Sequence, residues 1–252
     1  MKDLGNPDFP GIVDAHAHSD KKFSWQHTPE QLLAMMKECG IVKSVLSSYW
    51  DLPSRADEKA VERFENALNS HREFIGFLRL NPNDSEAETL LARMASEKRI
   101  FGLKLNPMTS AVLPNTDGTL RLVAAAAELG LPVLFHSGDD PFSNPLQIEQ
   151  VASNCPEASI VLGHMGGFFY AAEAIRVANR NPNVYLETSV MPYPDMIRTA
   201  VRSLGSSKVF FGSDAPGVHS RIEIQKIRAS GISKDQQKTV LCTSFLELLH
   251  RP

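Results

Sequence analysis

Short apolar runs punctuate the chain at intervals, each ending in polar residues or in Gly and Pro. They are "GIVDAHAH" (11–18), "IVKSVLSS" (41–48), "EFIGFLRLNP" (73–82), "IFGLKLNP" (100–107), "LPVLFHSG" (131–138), "SIVLGHMGG" (159–167), "NVYLETSV" (183–190) and "KVFFGSDAP" (208–216). They are rich in Val, Ile, Leu and Phe, the composition of strands covered on both faces. Between them the apolar spacing changes to three and four, the helical period. "TPEQLLAMMKECG" opens with a Thr28 cap and Pro29 in the first turn and stops at Gly40. "SRADEKAVERFENALNS" carries Ala60, Val61, Phe64, Ala67 and Leu68 on one stripe. "SEAETLLARMASEK", "GTLRLVAAAAELG", "PLQIEQVASN", "YAAEAIRVANR" and "YPDMIRTAVRSLG" repeat the pattern, and 220–249 reads as one or two closing helices. The longest break is the loop 107–118, with two prolines.

Eight strands alternating with helices predict a single-domain (β/α)8 barrel spanning 1–252. An open doubly wound sheet is the competing arrangement. No glycine-rich phosphate loop follows the first strand, however, and nothing is left over for a second domain.

The barrel directs attention to the strand ends, because chemistry on this fold sits at their C-terminal mouth. In an extended strand, Asp14, His16 and His18 would share one face. Two imidazoles separated by one small residue suit a metal ion that needs nitrogen ligands at about 2.0–2.1 Å. The fourth run ends in Lys104 and Asn106, the fifth in His136, the sixth in His164 and the eighth in Asp214. Histidines on three strands with an aspartate on a fourth read as a metal site. Of the remaining histidines, His27, His71 and His250 read as surface residues, while His219 lies close enough to the eighth strand to reach the mouth. Asp139 and Asp140 read as helix-capping or solvent-facing. Tyr49, Trp50 and Trp25 are candidates for an apolar wall over the mouth.

Composition narrows the function classes. The net charge is −3, with 22% charged residues, which makes no electrostatic case for nucleic acid or an anionic membrane. No apolar stretch approaches the roughly 20 residues of a membrane span, and "MKDLGNPDFP" lacks the apolar core of a signal peptide. Cys39, Cys155 and Cys242 are far apart and form no CxxC pair. Both features lead to the expectation of a cytoplasmic protein with reduced thiols.

Taken together, "IVDAHAH", "FIGFLRLNP", "FGLKLNP", "ELGLPVLFHSG", "IVLGHMGG" and "VFFGSDAP" resemble the amidohydrolase superfamily over nearly the whole chain. The resemblance is to the branch of small single-domain members that includes aminocarboxymuconate-semialdehyde decarboxylase and the resorcylate decarboxylases. It implies that His16, His18, His136 and Asp214 bind one divalent metal, Zn²⁺ or another transition ion. It also implies that His164 acts beside the ion and that Asp214 takes a proton from metal-bound water. Lys104 stands where two-metal relatives carry a carboxylated lysine; here it is read as uncarboxylated and facing the substrate, with Arg79 and Asn106 as further substrate contacts. Asn106 replaces a histidine common in the branch, and Ser244 stands near a common asparagine in the closing helix.

The set suits hydrolysis of a small amide, ester or lactone. The alternative is decarboxylation of a small unsaturated or aromatic acid. The short inter-strand loops, with no insertion to seal the mouth, favour hydrolysis. A barrel that has lost its chemistry and serves as a binding protein is the contrasting class; the intact set His16, His18, His136, His164 and Asp214 argues against it. The expected partner is a small molecule, with no nucleic acid or membrane, and the resemblance implies a homodimer.

Overall fold

The computed structural model describes residues 11–22, 25–53, 58–97 and 99–250. Eight parallel strands run in sequence order around one sheet. They are β1 (Ile12–Asp14), β2 (Ile41–Leu46), β3 (Phe74–Arg79), β4 (Ile100–Leu105), β5 (Val133–Phe135), β6 (Ile160–Leu162), β7 (Val184–Glu187) and β8 (Val209–Phe210). Helices fill the intervals: α1 (Pro29–Cys39), α2 (Ala60–Ser70), α3 (Ala87–Glu97), α4 (Pro107–Ser110), α5 (Asp117–Glu128), α6 (Pro145–Asn154), α7 (Gly167–Arg180) and α8 (Pro194–Leu204). The C-terminal stretch forms α9 (Ser220–Ala229), α10 (Lys234–Lys238) and α11 (Ser244–Leu249), the last two joined by a π-helical turn, Thr239–Thr243. This is the (β/α)8 barrel that the alternation predicts. No helix among the described residues is long and apolar enough to cross a membrane.

The ring closes between β1 and the segment following β8. Ala15 N donates to Phe211 O at 2.9 Å, Asp214 N to His16 O at 2.7 Å and His18 N to Ala215 O at 2.7 Å. Asp14 reinforces the seam: its carboxylate accepts from Ser213 N at 2.9 Å, Ser213 Oγ at 2.5 Å and His16 N at 3.0 Å. Here the structure departs from the extended strand expected over 11–18. β1 stops at Asp14, the chain bends at Ala15, and the Asp14 side chain serves the seam while His16 and His18 enter the mouth. A second departure is a two-stranded antiparallel hairpin, Asp20–Lys22 with Trp25–His27, on the way from β1 to α1. The Trp25 side chain lies outside the described residues.

Local signals behave as their chemistry dictates. Thr28 and Gln31 form a reciprocal capping box on α1 with Pro29 in the first turn, and Gly40 ends the helix at φ 71°. The expected loop 107–118 instead begins with the short α4, whose cap is Asn106 accepting from Thr109 N.

Two apolar layers hold the barrel. Outside, Leu103 and Leu105 of β4 join the helices in the larger core, whereas Val13, Val45, Ile75, Phe77, Tyr185 and Phe210 fill the interior. Phe77 occupies space that Gly102 leaves free: a Cβ on Gly102 would lie 2.3 Å from the Phe77 ring. Overpacking a filled core costs about 1–3 kcal/mol. Gly102→Ala is therefore expected to destabilise the fold by that amount, read as a lowered urea midpoint with an unchanged m-value. An unchanged midpoint would show that Phe77 can be displaced without cost.

Candidate metal centre

Three residues predicted from the strand ends converge. His16, His164 and Asp214 offer ligand atoms that all lie within 4.8 Å of one another. His18 Nε2 reaches Asp214 Oδ1 at 3.2 Å, and His136 Nδ1 reaches His164 Nε2 at 3.0 Å. All five residues thus meet at the mouth. His164, expected beside the ion, belongs to the compact trio, whereas His18 and His136 each touch one member of it.

The outward nitrogens explain why the rings face inward. His16 Nδ1 is bonded to Glu187 Oε2 at 2.8 Å, and His18 Nδ1 to Ser47 O at 3.1 Å. His164 Nδ1 lies 2.8 Å from Ser189 Oγ and 3.3 Å from Ser189 O. Carboxylate and carbonyl oxygens accept only, so these partners select the Nδ1–H tautomer at His16 and His164 and turn their Nε2 lone pairs inward, whereas His18 Nε2 faces Asp214 Oδ1. Burial pushes the imidazoles of His16, His18 and His164 below their ordinary value, which keeps them neutral and able to ligate. Burial alone would raise the Asp214 carboxyl; the His18 hydrogen bond and the surrounding rings of His16 and His164 outweigh it and hold the group well below the usual range. Neutral imidazoles around one carboxylate form a donor set that fits a divalent transition ion.

Backbone strain accompanies this convergence. His164 and Met165 take φ 59° and 49°, Gly166 and Gly167 continue at 82° and 68°, and Asp214 stands at 53°. The left-handed turn brings His164 N to Glu187 Oε2 at 3.2 Å. Such conformations cost of order 1–3 kcal/mol each outside glycine and persist where surrounding bonds over-determine them.

Sequence reasoning missed Glu187 and the serines that hold the rings. Glu187 is fully buried, and besides His16 it accepts from His164 N, Ser189 Oγ at 2.9 Å and Ser189 N. Burial pushes its carboxyl upward, against those bonds. The available signal was a lone carboxylate in the apolar run "VYLETSV", since buried acids require partners.

The substrate-facing candidates fall into two groups. Lys104 is buried with Nζ 2.9 Å from His16 Nε2. Burial pushes its ammonium down to about 7; Arg79 adds to the depression, and Asp214 and Glu187 oppose it. Arg79 donates from Nε to Asp51 at 2.8 Å and from Nη2 to Thr109, while Ser110 Oγ donates to the other Asp51 oxygen at 2.6 Å. Asn106 is committed to capping α4 beside this network. Tyr49 stacks on His18 with ring centroids 4.3 Å apart, so it forms part of the wall over the mouth. His219 is not in the site: its Nδ1 caps α9 by accepting from Arg221 N at 3.2 Å. Asp139 also caps a helix, accepting from Phe168 N at 2.8 Å and Phe169 N at 2.7 Å at the start of α7. Ser244 Oγ donates to Val209 O at 3.0 Å, a packing role in the barrel wall.

A family model described as Amidohydrolase matches residues 13–243. No curated protein matches the sequence. Among solved structures, 2,6-dihydroxybenzoate decarboxylase complexed with 2,6-dihydroxybenzoate superposes with a TM-score of 0.76 at 16% identity, over 96% of this chain and 99% of that one. The 5-carboxyvanillate decarboxylase of Novosphingobium aromaticivorans, complexed with manganese and 4-hydroxy-3-methoxy-5-nitrobenzoic acid, gives 0.74 at 15% identity over 100% and 99%. A putative 2-pyrone-4,6-dicarboxylic acid hydrolase from Pseudomonas putida gives 0.72 at 16% identity over 96% and 98%. At these identities the likeness is one of fold.

Outer-sphere carboxylates that hold a ligating histidine typically contribute about 10–100-fold in metal affinity. Glu187→Gln is expected to weaken Mn²⁺ or Zn²⁺ binding by that factor, measured by titration calorimetry. Wild-type affinity in a folded Glu187→Gln variant would show that His16 is held by other means.

Proposed function

The chain belongs to the amidohydrolase family, and we propose that it is a metal-dependent decarboxylase of a small aromatic or unsaturated carboxylic acid. The observation that carries this reading is the depth of the reacting set. His16, His18, His164 and Lys104 are 1%, 4%, 6% and 1% exposed. Loss of CO2 leaves an electron pair on carbon that water would quench or misdirect, so exclusion of water favours this chemistry. The expectation of hydrolysis rested on an unlidded mouth. The burial of the set weakens that premise. Two of the similar structures named above are aromatic-acid decarboxylases, which supports the same reading.

A bound divalent ion supplies Lewis acidity, polarising a substrate oxygen so that negative charge can move away from the breaking bond. His16, His164 and Asp214 would hold it, with His18 and His136 completing the surround. Lys104 provides positive charge for the substrate carboxylate, while Arg79 shares its own with Asp51. Asp214, with 25% of its side chain open, is the group able to exchange a proton with substrate. It takes the proton from the substrate hydroxyl and delivers it to the carbon as CO2 leaves. His164, held by Ser189 at Nδ1, would turn its Nε2 lone pair towards the ion.

Hydrolysis is the second reading, favoured by the same exposure of Asp214, which suits a base acting on water. The similarity to the putative pyrone hydrolase supports it.

Turnover of hydroxybenzoates in D₂O is expected to release CO2 and place deuterium on the ring carbon that lost it. Label from H₂¹⁸O appearing in a product carboxylate of a lactone, with no CO2 from any aromatic acid, would establish the hydrolase instead. Asp214→Asn is expected to lower kcat by at least about 10²-fold, the scale of a lost acid–base group, with the melting temperature retained. A near-normal kcat would remove Asp214 from the proton's path.

A further inference from the structure

A buried ion pair stands in the wall beside the metal centre. Along β3 the side chains alternate: Ile75 and Phe77 fill the interior, Leu78 and Leu80 join the outer core, and Arg79 continues the inward series. Across the sheet Arg79 is paired in register with Lys104 of β4, whose Nζ reaches His16. The two side by side are 2% and 1% exposed. A guanidinium keeps its charge in a protein, so this stretch of wall would draw dianions if nothing opposed it.

Asp51 opposes it. It lies on the loop after β2, the loop that also supplies Ser47 and Tyr49 to His18. Leu52 N donates to Arg79 O at 2.8 Å, which seats that loop against the end of β3. Arg79 Nε donates to Asp51 Oδ1 at 2.8 Å, and its Nη2 donates to Thr109 Oγ1. Ser110 Oγ donates to Asp51 Oδ2 at 2.6 Å. One turn of α4 therefore grips both members of the pair. Stability alone does not call for two charges here, since a buried ion pair is often replaceable by neutral residues of similar volume at no cost. What the pair does set is charge. It brings the Arg79 side of the wall to zero and leaves the Lys104 side to meet an anion.

We propose that Asp51 is a specificity-determining residue: its charge cancels that of Arg79, so the site takes acids with one carboxylate and discriminates against those with a second. The inference rests on the reading of the substrate as a carboxylic acid and deepens it. A first carboxylate is met by Lys104. A second one, on the Arg79 side, finds a cation already matched and the Asp51 oxygens beside it. Like charges brought together away from water are a strong means of rejecting a wrong partner.

The test is titration calorimetry of the Mn²⁺-loaded protein with 2-hydroxybenzoate and with 4-hydroxyisophthalate, which adds one carboxylate to the same ring. The quantity read is the ratio of the two affinities. Wild type is expected to favour the monocarboxylate. Asp51→Asn keeps an oxygen to accept from Arg79 Nε but removes the negative charge, so the ratio should move towards the dicarboxylate by about tenfold. Arg79→Gln leaves Asp51 unmatched and should move the ratio the opposite way. The double variant restores a neutral pair and should return to the wild-type ratio. A purely structural role would loosen binding of both ligands without this alternation of sign. Either single variant suffices for the sign if the other fails to fold. The proposal is overturned by a wild type that favours the dicarboxylate, by a folded Asp51→Asn or Arg79→Gln with the wild-type ratio, or by single variants that shift it in the same direction. Binding of neither acid to wild type overturns the acid reading and this proposal with it, whereas binding with an unresponsive ratio overturns this proposal alone.

Discussion

One buried carboxylate organises the mouth of the barrel. Glu187, at the end of β7, accepts from a ring nitrogen of the first strand's His16, from the backbone of His164 after β6 and from both donors of Ser189. A buried charge is tolerated only when its bonds are complete; removing partners leaves a penalty of several kcal/mol. The segment after β8 makes way for it. A Cβ on Gly212 would lie 2.0 Å from Glu187 Oε1, whereas one on Gly163 would meet Phe135 O at 2.7 Å. The glycine in "FFGSD" therefore serves the acid at least as much as the turn it sits in. The left-handed run from His164 to Gly167 follows as the backbone path that aims His164 N at that acid.

Strain in the centre is held from outside it. Val190 takes φ 60°, costly for a β-branched residue, directly after the serine that orients His164. Its amide donates to Glu223 Oε2 at 3.1 Å, and Glu223 is itself paired with Lys226 at 2.5 Å. Helix α9 thus reaches over the barrel rim to fix a loop whose function lies on the inner side. Asp14 and Ser213 do the corresponding work at the seam, so that His16 and Asp214, from opposite ends of the chain, meet in one place. The centre is pre-organised because its strained residues are each tied to a separate element.

Much of this was legible in the sequence, and the reason is locality. The apolar runs, the Thr28 capping box, the Gly40 stop and the strand-end histidines are each set within a few residues, and the barrel follows from their alternation. What escaped depends on partners far away in the chain. Glu187 and His16 are 171 residues apart, and Asp14 and Ser213 are 199 apart. No spacing within one run encodes either contact. The hairpin near 20–27 escaped because "DKKFSWQH" lacks the alternation by which a half-buried strand is recognised. The preference for hydrolysis rested on local evidence of the same kind, an open mouth inferred from loop length.

Charge balance gives the site a preference that no single residue shows. Arg79 is neutralised by Asp51, so the positive charge left to the centre is that of Lys104 and, in the metal-dependent reading, the ion. Glu187 and Asp214 supply the opposing carboxylates. Asp140 adds a third carboxylate beside His136, so a divalent ion with a charged Lys104 is matched. Burial pushes the Lys104 ammonium down to about 7. In the proposed decarboxylase reading, a substrate carboxylate favours the ammonium and gains a partner in the same step. Neutral amides and esters obtain no such gain. In that reading the buried lysine against His16 favours acids over neutral substrates, and it does so from a wall position, between Leu103 and Leu105, that the barrel's own packing dictates.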